Sequence, residues 1–351
     1  MALSTLFIGV SSQATTIYDK DNGDYLKLYG EVGVGGHFRP DYEFSEFFED
    51  KSYIDDSFAT IGIKGAMQDV YYRLEVDYER ENWKYGSGDM VLAIDKIFIG
   101  YHMTKNHAIE FGLTDTALDD YDKFGDFTLD TTVETGEAGD QANTVKYEGQ
   151  WSYFKAGVSY SYNSESSSGA SLGDVINGYF GYFSDIVDVV AGAETRTGSE
   201  GESKYGEQTL FTLGVRGYIT DELAIGFNAY LENEDIAQSE TLTDISQDFD
   251  TYTYAFNDYQ TLQNKGALIS ASYTFRPKWE LTGSANLEEY EVWDINSAYG
   301  VSPDDEYSWG KERTWATLGL NFKPSQSVLM AVEANFGEAA QDAYAYARVY
   351  F

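Results

Sequence analysis

Ala343-Tyr-Ala-Tyr-Ala-Arg-Val-Tyr-Phe351 is the last stretch of the sequence, and its side chains alternate strictly between two kinds. Alanine, valine or phenylalanine occupies every second position, and tyrosine or arginine occupies each position between them. Because successive side chains of a β-strand point to opposite faces of its sheet, this pattern predicts a strand that is apolar on one face and polar on the other. The two faces therefore meet two different environments.

The same alternation recurs from Tyr25 onward in segments of about ten residues. In residues 70–79 the even positions are apolar or aromatic, and the odd positions carry Tyr71, Arg73, Glu75, Asp77 and Glu79. Ionisable side chains require water on their side of the sheet, whereas the other side can face lipid. Lipid does not tolerate an open sheet edge, so such strands must close. The sequence therefore predicts an all-β protein, a transmembrane antiparallel β-barrel of the bacterial outer-membrane type.

Short and long connectors alternate between the predicted strands. Short polar turns are predicted at residues 68–69, 104–106, 149–150, 220–222, 277–278 and 325–326. Long connectors rich in Asp, Glu, Gly and Ser are predicted at residues 39–56, 81–89, 115–142, 163–174, 197–206, 233–264, 289–311 and 337–341. These eight long connectors imply sixteen strands, a size at which a barrel holds water inside.

The composition excludes several classes of protein. The 351 residues contain no Cys, so disulfides, thiolate metal sites and cysteine nucleophiles are excluded. A formal net charge of −36 argues against a nucleic-acid partner, because phosphate contacts need clustered Lys and Arg, and it favours the passage of cations. The three histidines show neither the spacing of a zinc protease nor a catalytic triad. We therefore expect no enzymatic activity, no cofactor and no metal site.

The first residues are interpreted as a processing signal. Residues 2–10 are apolar, and Ser12-Gln13-Ala14 resembles the small-x-small motif of a signal-peptide cleavage site, although the usual charged front region is missing. We therefore interpret residues 1–14 as a signal-peptide remnant and residues 15–351 as a single barrel domain. A disordered or core-inserted N-terminus is the alternative.

Two stretches and the final phenylalanine resemble the general, trimeric porins of Gram-negative bacteria. Residues 16–32 resemble the opening strand of that family, with Tyr18-Asp-Lys-Asp21 leading to Leu28-Tyr-Gly30. Ser57-Phe-Ala-Thr-Ile-Gly-Ile-Lys-Gly65 resembles its second strand. The resemblance implies a homotrimer in the outer membrane of a Gram-negative bacterium. It also implies a water-filled channel through which small hydrophilic solutes diffuse.

In that family the third long loop folds into the lumen, where its acids face basic residues of the barrel wall. Residues 115–142 occupy the place of this loop, and Leu118–Asp126 is similar to its acidic tip. The resemblance implies constriction acids at Asp119, Asp120, Asp122 and Asp126, and a turn at Phe124 and Gly125. Carboxylates at a water-filled constriction attract cations and repel anions.

The basic wall of that family is matched only in part. Glu31 and Thr60 stand where its first and second strands commonly carry lysine and arginine. Asp95 and Lys96 are adjacent, so one of them points away from the lumen unless a bulge or a subunit contact shelters it. The alternation places Lys155, Arg216 and Arg313 on lumen faces, together with the residues that we assign to the basic pore wall, namely Lys64, Arg73, Lys146 and Arg348.

Small residues on the first and last strands indicate a subunit contact, because close packing favours small side chains. The residues interpreted as outward-facing are Gly30, Gly33, Gly35, Ala343, Ala345 and Ala347. Easier closure of the barrel seam is the alternative interpretation. Besides the homotrimer, we expect outer-membrane lipids as partners, with divalent cations joining the acidic loops to lipopolysaccharide phosphates.

Two further functions stay open from the sequence. A channel selective for oligosaccharides would use inward-facing tyrosines as stacking surfaces, and the candidates are Tyr71, Tyr230, Tyr344, Tyr346 and Tyr350. A general lining of the lumen is the other interpretation of these residues. The second function is a barrel that acts mainly as a ligand-binding or adhesion platform, with the acidic connector 233–264 as its surface.

Overall fold

The computed structural model describes residues 14–42, 53–82, 87–129, 135–166, 169, 171–198, 205–239, 256–290, 312–337 and 340–351. Within these ranges the strands are β1 (Thr15–Asp19), β2 (Tyr25–Tyr42), β3 (Tyr53–Asp55), β4 (Phe58–Met67), β5 (Val70–Asn82), β6 (Ser87–Thr104), β7 (His107–Asp115), β8 (Asp140–Trp151), β9 (Phe154–Glu165), β10 (Ser171–Phe183), β11 (Val187–Arg196), β12 (Tyr205–Tyr218), β13 (Leu223–Ser239), β14 (Phe256–Arg276), β15 (Trp279–Tyr290), β16 (Glu312–Ser325), β17 (Val328–Gly337) and β18 (Ala340–Tyr350). A 3₁₀ turn spans Asp119–Tyr121. In the described part of the chain, no helix is long and apolar enough to cross a membrane. The predicted signal-peptide remnant lies outside the described residues, apart from Ala14.

Sixteen of the 18 strands close into one antiparallel barrel, namely all except β1 and β3. They pair in chain order, and β18 pairs back with β2, where Tyr350 lies opposite Glu31. Beside this pair, the amide of Phe351 donates to the carbonyl of Gly30 over 2.9 Å, and the amide of Gly30 donates to the carbonyl of Phe351 over 3.0 Å. The predicted sixteen-stranded barrel is confirmed, and its closure leaves no sheet edge unpaired in lipid.

The two short strands prolong longer ones. β4 pairs with residues 25–33 on one edge of β2, and β3 pairs with residues 36–38 farther along that edge. On the other edge, β1 pairs with residues 25–28 and β18 with residues 31–42. The strands from the two ends of the chain therefore lie end to end along β2.

The two faces of the barrel wall differ in polarity as the alternation predicts. On the outer face, Leu92 is 75% exposed and Ile269 is 60% exposed, and they belong to a belt of apolar side chains on neighbouring strands. On the inner face, Asn177 and Glu333 are only 2% and 0% exposed. A continuous apolar belt of this extent is stable against hydrocarbon and not against water. The barrel therefore encloses its polar side chains.

Several predicted connectors are displaced. Gly149 and Gln150 lie inside β8, and the turn lies between β8 and β9, where Ser152 has a φ of +54°. A further short turn at residues 184–186 has neither Gly nor Pro to indicate it. The predicted connector 233–264 is shorter, because β13 continues to Ser239 and β14 begins at Phe256. Backbone pairing continues past the bilayer, where both faces are wet and the alternation in hydropathy is lost.

A β-bulge turns both Asp95 and Lys96 toward the lumen. In the ladder between β5 and β6, Lys96 pairs with Glu75 and Ile94 pairs with Val76, so Asp95 is an extra residue without a partner. A bulge of this kind restarts the alternation one residue later. The adjacent charges are thus sheltered by a bulge, which is one of the two solutions that the sequence left open.

The predicted outward face of β2 is wrong for Gly33 and Gly35. A Cβ atom at Gly33 would lie 2.8 Å from the hydroxyl oxygen of Tyr346, whose side chain is on the lumen face. Gly35 shares this face, because it lies two positions along the same strand. A Cβ atom at Gly30 would instead lie 2.6 Å from the outward-facing ring of Phe351. Of the six residues predicted to face outward, Gly30 and the three alanines of β18 therefore do so.

Candidate pore constriction

The connector between β7 and β8, residues 116–139, is called loop 3, and its described parts, 116–129 and 135–139, run along the inner wall of the barrel. The amide of Ala117 donates to Ser159 Oγ on β9 over 3.0 Å, and the amide of Leu118 donates to Asn177 Oδ1 on β10 over 3.3 Å. The side chain of Leu118 is completely buried. Loop 3 therefore enters the lumen as soon as β7 ends.

The tip of loop 3 lies against β13 and β14. Asn228 Nδ2 donates to the carbonyls of Asp122 and Phe124 over 2.9 and 3.0 Å, and Ser270 Oγ donates to the carbonyl of Gly125 over 2.7 Å. Gly125 has a φ of +105°, which favours glycine, and a Cβ atom at Gly226 would lie 1.8 Å from its carbonyl oxygen. The turn implied at Phe124 and Gly125 thus coincides with the point where the loop meets the wall.

An apolar cluster packs the loop onto the wall. The ring centroids of Tyr121 and Tyr179 are 4.1 Å apart, and the guanidinium carbon of Arg216 lies 4.1 Å from the ring centroid of Phe124. Burial of each large apolar side chain contributes about 1.5–3 kcal/mol. The buried aromatic side chains of loop 3 therefore stabilise its position on the wall more than any one of its hydrogen bonds does. The buried members of the cluster are Ala117, Leu118, Tyr121, Phe124, Tyr179, Val190, Leu210, Tyr230, Leu268 and Trp315.

The later part of loop 3 is also bonded to the inner wall. The amide of Leu129 donates to Glu333 Oε1 on β17 over 2.8 Å, and the amide of Ala138 donates to Glu194 Oε2 on β11 over 3.1 Å. The carbonyl of Gly136 accepts hydrogen bonds from Arg196 and Gln208. The described bonds of the loop thus reach β9 to β14 and β17.

The four candidate acids of loop 3 lie in different environments. Asp120 is exposed to the lumen, and Asp119 and Asp122 are half-buried. Asp126 is only 8% exposed, and its Oδ1 accepts hydrogen bonds from the amide and hydroxyl of Thr128 over 2.9 and 2.8 Å. Asp126 therefore stabilises a turn of its own loop, and its charge is separated from the water that the other three acids meet.

Burial and neighbouring charges raise the pKa of two loop carboxyls to near neutral pH. Burial raises the pKa of Asp119 to about 7, helped by the negative charges of Asp115, Glu137 and Asp120. Burial also raises the pKa of Glu137 to about 7, helped by the charge of Asp122. Both groups thus change charge close to neutral pH.

We expect the cation preference of the lumen to weaken as the pH falls from about 8 to about 6, through the pKa values near 7. Asp119 and Glu137 take up protons over this interval, so the lumen loses two negative charges. The measurement is the reversal potential under a fixed KCl gradient at each pH. Asp119→Asn should flatten the profile. A wild-type profile that is level over this range would contradict the assignment.

The basic residues of the wall are mostly neutralised by acids of the wall. Arg73 pairs with Glu75 over 2.8 Å, Lys146 with Glu110 over 3.2 Å, and Arg348 with Glu31 over 3.5 Å. The ammonium of Lys64 lies 4.8 Å from the ring centroid of Tyr29. All four face the lumen as predicted, but three of them are paired. Of these four positions in the basic wall that the resemblance implied, only Lys64 is therefore without an ion pair among the described residues. The side chain of Arg313 is outside the described side chains.

Two groups of acids lie near the base of loop 3, and apart from Asp119 their members were not assigned to the site from the sequence. The carboxylate oxygens of Glu75, Asp77 and Asp95 lie within 4.8 Å of one another. The same limit holds for Asp115, Asp119 and Asp140. The alternation did place Glu75 and Asp77 inward, and the adjacent charges of Asp95 and Lys96 left a bulge open, but no local signal indicated that these acids meet. The ammonium of Lys96 pairs with Asp95 of the first group and with Asp115 and Asp140 of the second.

The inward tyrosines offer little free ring surface to a solute. Tyr230 is 5% exposed, and Tyr344 and Tyr346 are each 7% exposed. The rings of Tyr344 and Tyr346 stack on each other with centroids 5.5 Å apart. Tyr71 stacks on His102 at 4.4 Å. These rings therefore use their faces for packing within the wall.

Comparison with known proteins identifies the fold. No protein-family model and no curated protein matches the sequence. Salmonella typhi OmpF, solved with daunomycin, matches with a TM-score of 0.66 and 14% identity, over 96% of this chain and 100% of that one. OmpT of Vibrio cholerae, expressed in the outer membrane, matches with a TM-score of 0.64 and 14% identity, over 95% and 99% of the two chains. An anion-selective porin from Comamonas acidovorans matches with a TM-score of 0.60 and 12% identity, over 93% and 100%.

These likenesses establish that the chain has the fold of the outer-membrane porins. The resemblance noted in the first two long strands is thus confirmed at the level of the fold. The expected location in a Gram-negative outer membrane agrees with the neighbours. Ion preference does not follow from the fold, because one of these neighbours is anion-selective.

Proposed function

We propose that this protein is an outer-membrane porin, a passive channel and not an enzyme, through which small hydrophilic solutes diffuse with a preference for cations. The observation that carries the proposal is loop 3, which is packed on the inner wall of a closed sixteen-stranded barrel and narrows a polar lumen. A loop fixed in this way excludes solutes by size. The charges around it then select among the ions that pass.

An excess of carboxylates supports the preference for cations. Three of the basic wall residues are paired with wall acids. By contrast, Asp77, Glu79, Asp119 and Asp120 form no ion pair with any described residue. Unpaired carboxylates in a narrow aqueous passage concentrate cations and lower the concentration of anions. We therefore infer that the field of the constriction is negative.

Planar bilayer recording tests this function. The purified protein should produce stepwise conductance increases, and the reversal potential under a KCl gradient should have the sign of a cation-preferring channel. An anion-preferring sign would contradict the selectivity and leave the channel intact. A folded barrel that never conducts would contradict the channel and favour the adhesion platform. The central part of the connector assigned to that platform, residues 240–255, lies outside the described residues.

An oligosaccharide-selective channel is not favoured, because three of the candidate stacking tyrosines are buried against their neighbours. We therefore expect added malto-oligosaccharide to leave single-channel current without transient blocks. The matched measurement replaces the sugar by a polyethylene glycol of similar radius, which reports obstruction by size alone. Sugar-specific blocking events at millimolar concentration would support the sugar channel instead.

The proposed assembly is a homotrimer in contact with outer-membrane lipids and lipopolysaccharide. The outward alanines of β18 form a row of small side chains that suits close packing of subunits. One solved form of OmpT of Vibrio cholerae is described as a trimer. Substitution of Ala345 by a bulky polar residue should therefore shift the protein from trimers to monomers on a native gel.

A further inference from the structure

The side chain of Lys96 is enclosed by carboxylates at the base of loop 3. Its ammonium pairs with Asp115, lies 3.0 Å from Asp140 Oδ2, and lies 3.4 Å from Asp95 Oδ2. Lys96 is only 7% exposed. An ammonium has three hydrogens to donate, and three neighbouring carboxylates match that number. Lys96 is therefore held in one place, unlike a lysine that moves freely in the lumen.

Two of these carboxylates belong to the two ends of loop 3. Asp115 is the last residue of β7, Asp140 is the first residue of β8, and the ladder places them directly opposite each other. Like charges directly opposite each other destabilise a strand pair. Asp119 adds a third carboxylate within 4.8 Å of both. Without a cation between them, these carboxyls would repel each other or be forced to share protons, and either change would disturb the junction between the start of loop 3 and its end.

We propose that Lys96 is a positioning residue of the constriction. Its ammonium holds the two ends of loop 3 together, and it thereby sets the width of the pore and limits the fluctuation of that width. This inference rests on the proposed channel function. The bulge at Asp95 supports it, because the bulge brings Asp95 to the lumen face together with Lys96. A fourth carboxylate neighbour, Glu75, lies opposite Lys96 in the ladder but is already paired with Arg73.

The test is Lys96→Met in the full chain, recorded as single channels in planar bilayers. An unpaired group of carboxylates repels itself, so we expect the noise of the open-channel current to rise at least about twofold and the mean conductance to change. Lys146→Met is the matched control. Lys146 is also buried on the lumen face and paired with one acid, Glu110, but among the described residues it forms no ion pair with Asp115 or Asp140. The control removes the same charge, so it should alter selectivity while the noise stays at the wild-type level.

A charge-balanced variant separates positioning from a general loss of stability. In the triple variant Lys96→Met, Asp115→Asn and Asp140→Asn, the repulsion is removed together with the ammonium. The noise of the open-channel current should therefore return to the wild-type level. Heat-modifiable migration on a gel verifies that each barrel is folded. If Lys96→Met does not fold, Lys96→Gln, which keeps polar atoms and loses the charge, takes its place with the same expectation.

Three results would overturn the role of Lys96. The first is a Lys96 variant whose open-channel current noise equals that of the wild type. The second is a Lys146 control with the same noise as the Lys96 variant. The third is a charge-balanced variant with the same noise as the single Lys96 variant. Failure of the channel proposal has a different signature, since the wild-type protein itself would then carry no current.

Discussion

A barrel without residues 117–138 should conduct at least about twofold more current than the intact protein, because a sixteen-stranded barrel is wide enough for a large aqueous lumen when no loop fills it. The described parts of loop 3 cover the inner wall from β9 to β14, and the cluster around Leu118, Tyr121 and Phe124 occupies space that ions cannot use. Single-channel conductance in symmetrical KCl is the measurement. The largest polyethylene glycol that still enters the pore should increase as well.

A deletion in another long connector provides the control for this experiment. Removal of residues 292–310, between β15 and β16, shortens the chain by a comparable length and leaves loop 3 intact. Its conductance should stay close to that of the wild type. If the folded variant without residues 117–138 conducts like the intact protein, loop 3 does not form the constriction.

Asp119→Asn combined with Asp120→Asn should reduce the ratio of cation to anion permeability. The reduction should be larger than that produced by neutralising any other two acids of loop 3. Asp120 is exposed to the lumen, and both acids lack an ion pair among the described residues. At about pH 8.5 both carboxyls are ionised, so the field that they produce is then largest. We expect the reversal potential under a tenfold KCl gradient to move toward zero by more than about 10 mV.

Asp126→Asn is the matched control for the pair. One formal charge is removed from the same loop, against two in the pair, but Asp126 is buried and bonded to Thr128. Its neutral variant should keep the wild-type reversal potential, and Asp120→Glu should keep it as well, because the charge is retained. Equal effects of Asp126→Asn and of the Asp119 and Asp120 pair would show that burial does not decide which acids act on ions.

The constriction residues could be predicted only in part. The alternation correctly placed Lys64, Arg73, Lys146 and Arg348 on the lumen face, since side-chain direction in a strand is set by local backbone geometry. It could not indicate that three of them are paired, because each partner lies on a neighbouring strand or depends on the side-chain conformation. The run of acids at residues 119–126 likewise carries no sign that Asp126 is turned into the loop. That distinction depends on where Ser270 and Asn228 hold the loop tip.

The alternation of polar and apolar residues in the sequence by itself determined that this protein is a closed barrel of sixteen strands. The same alternation determined which face of each strand meets water and which meets lipid. This is possible because the pleat of a strand is local and because lipid tolerates no unpaired backbone. Only the tertiary structure decided where loop 3 lies, which of its acids face the lumen, and that a bulge brings Lys96 between Asp115 and Asp140. These features arise from contacts between segments far apart in the chain, where the energy of packing and charge pairing depends on distances that no local pattern encodes.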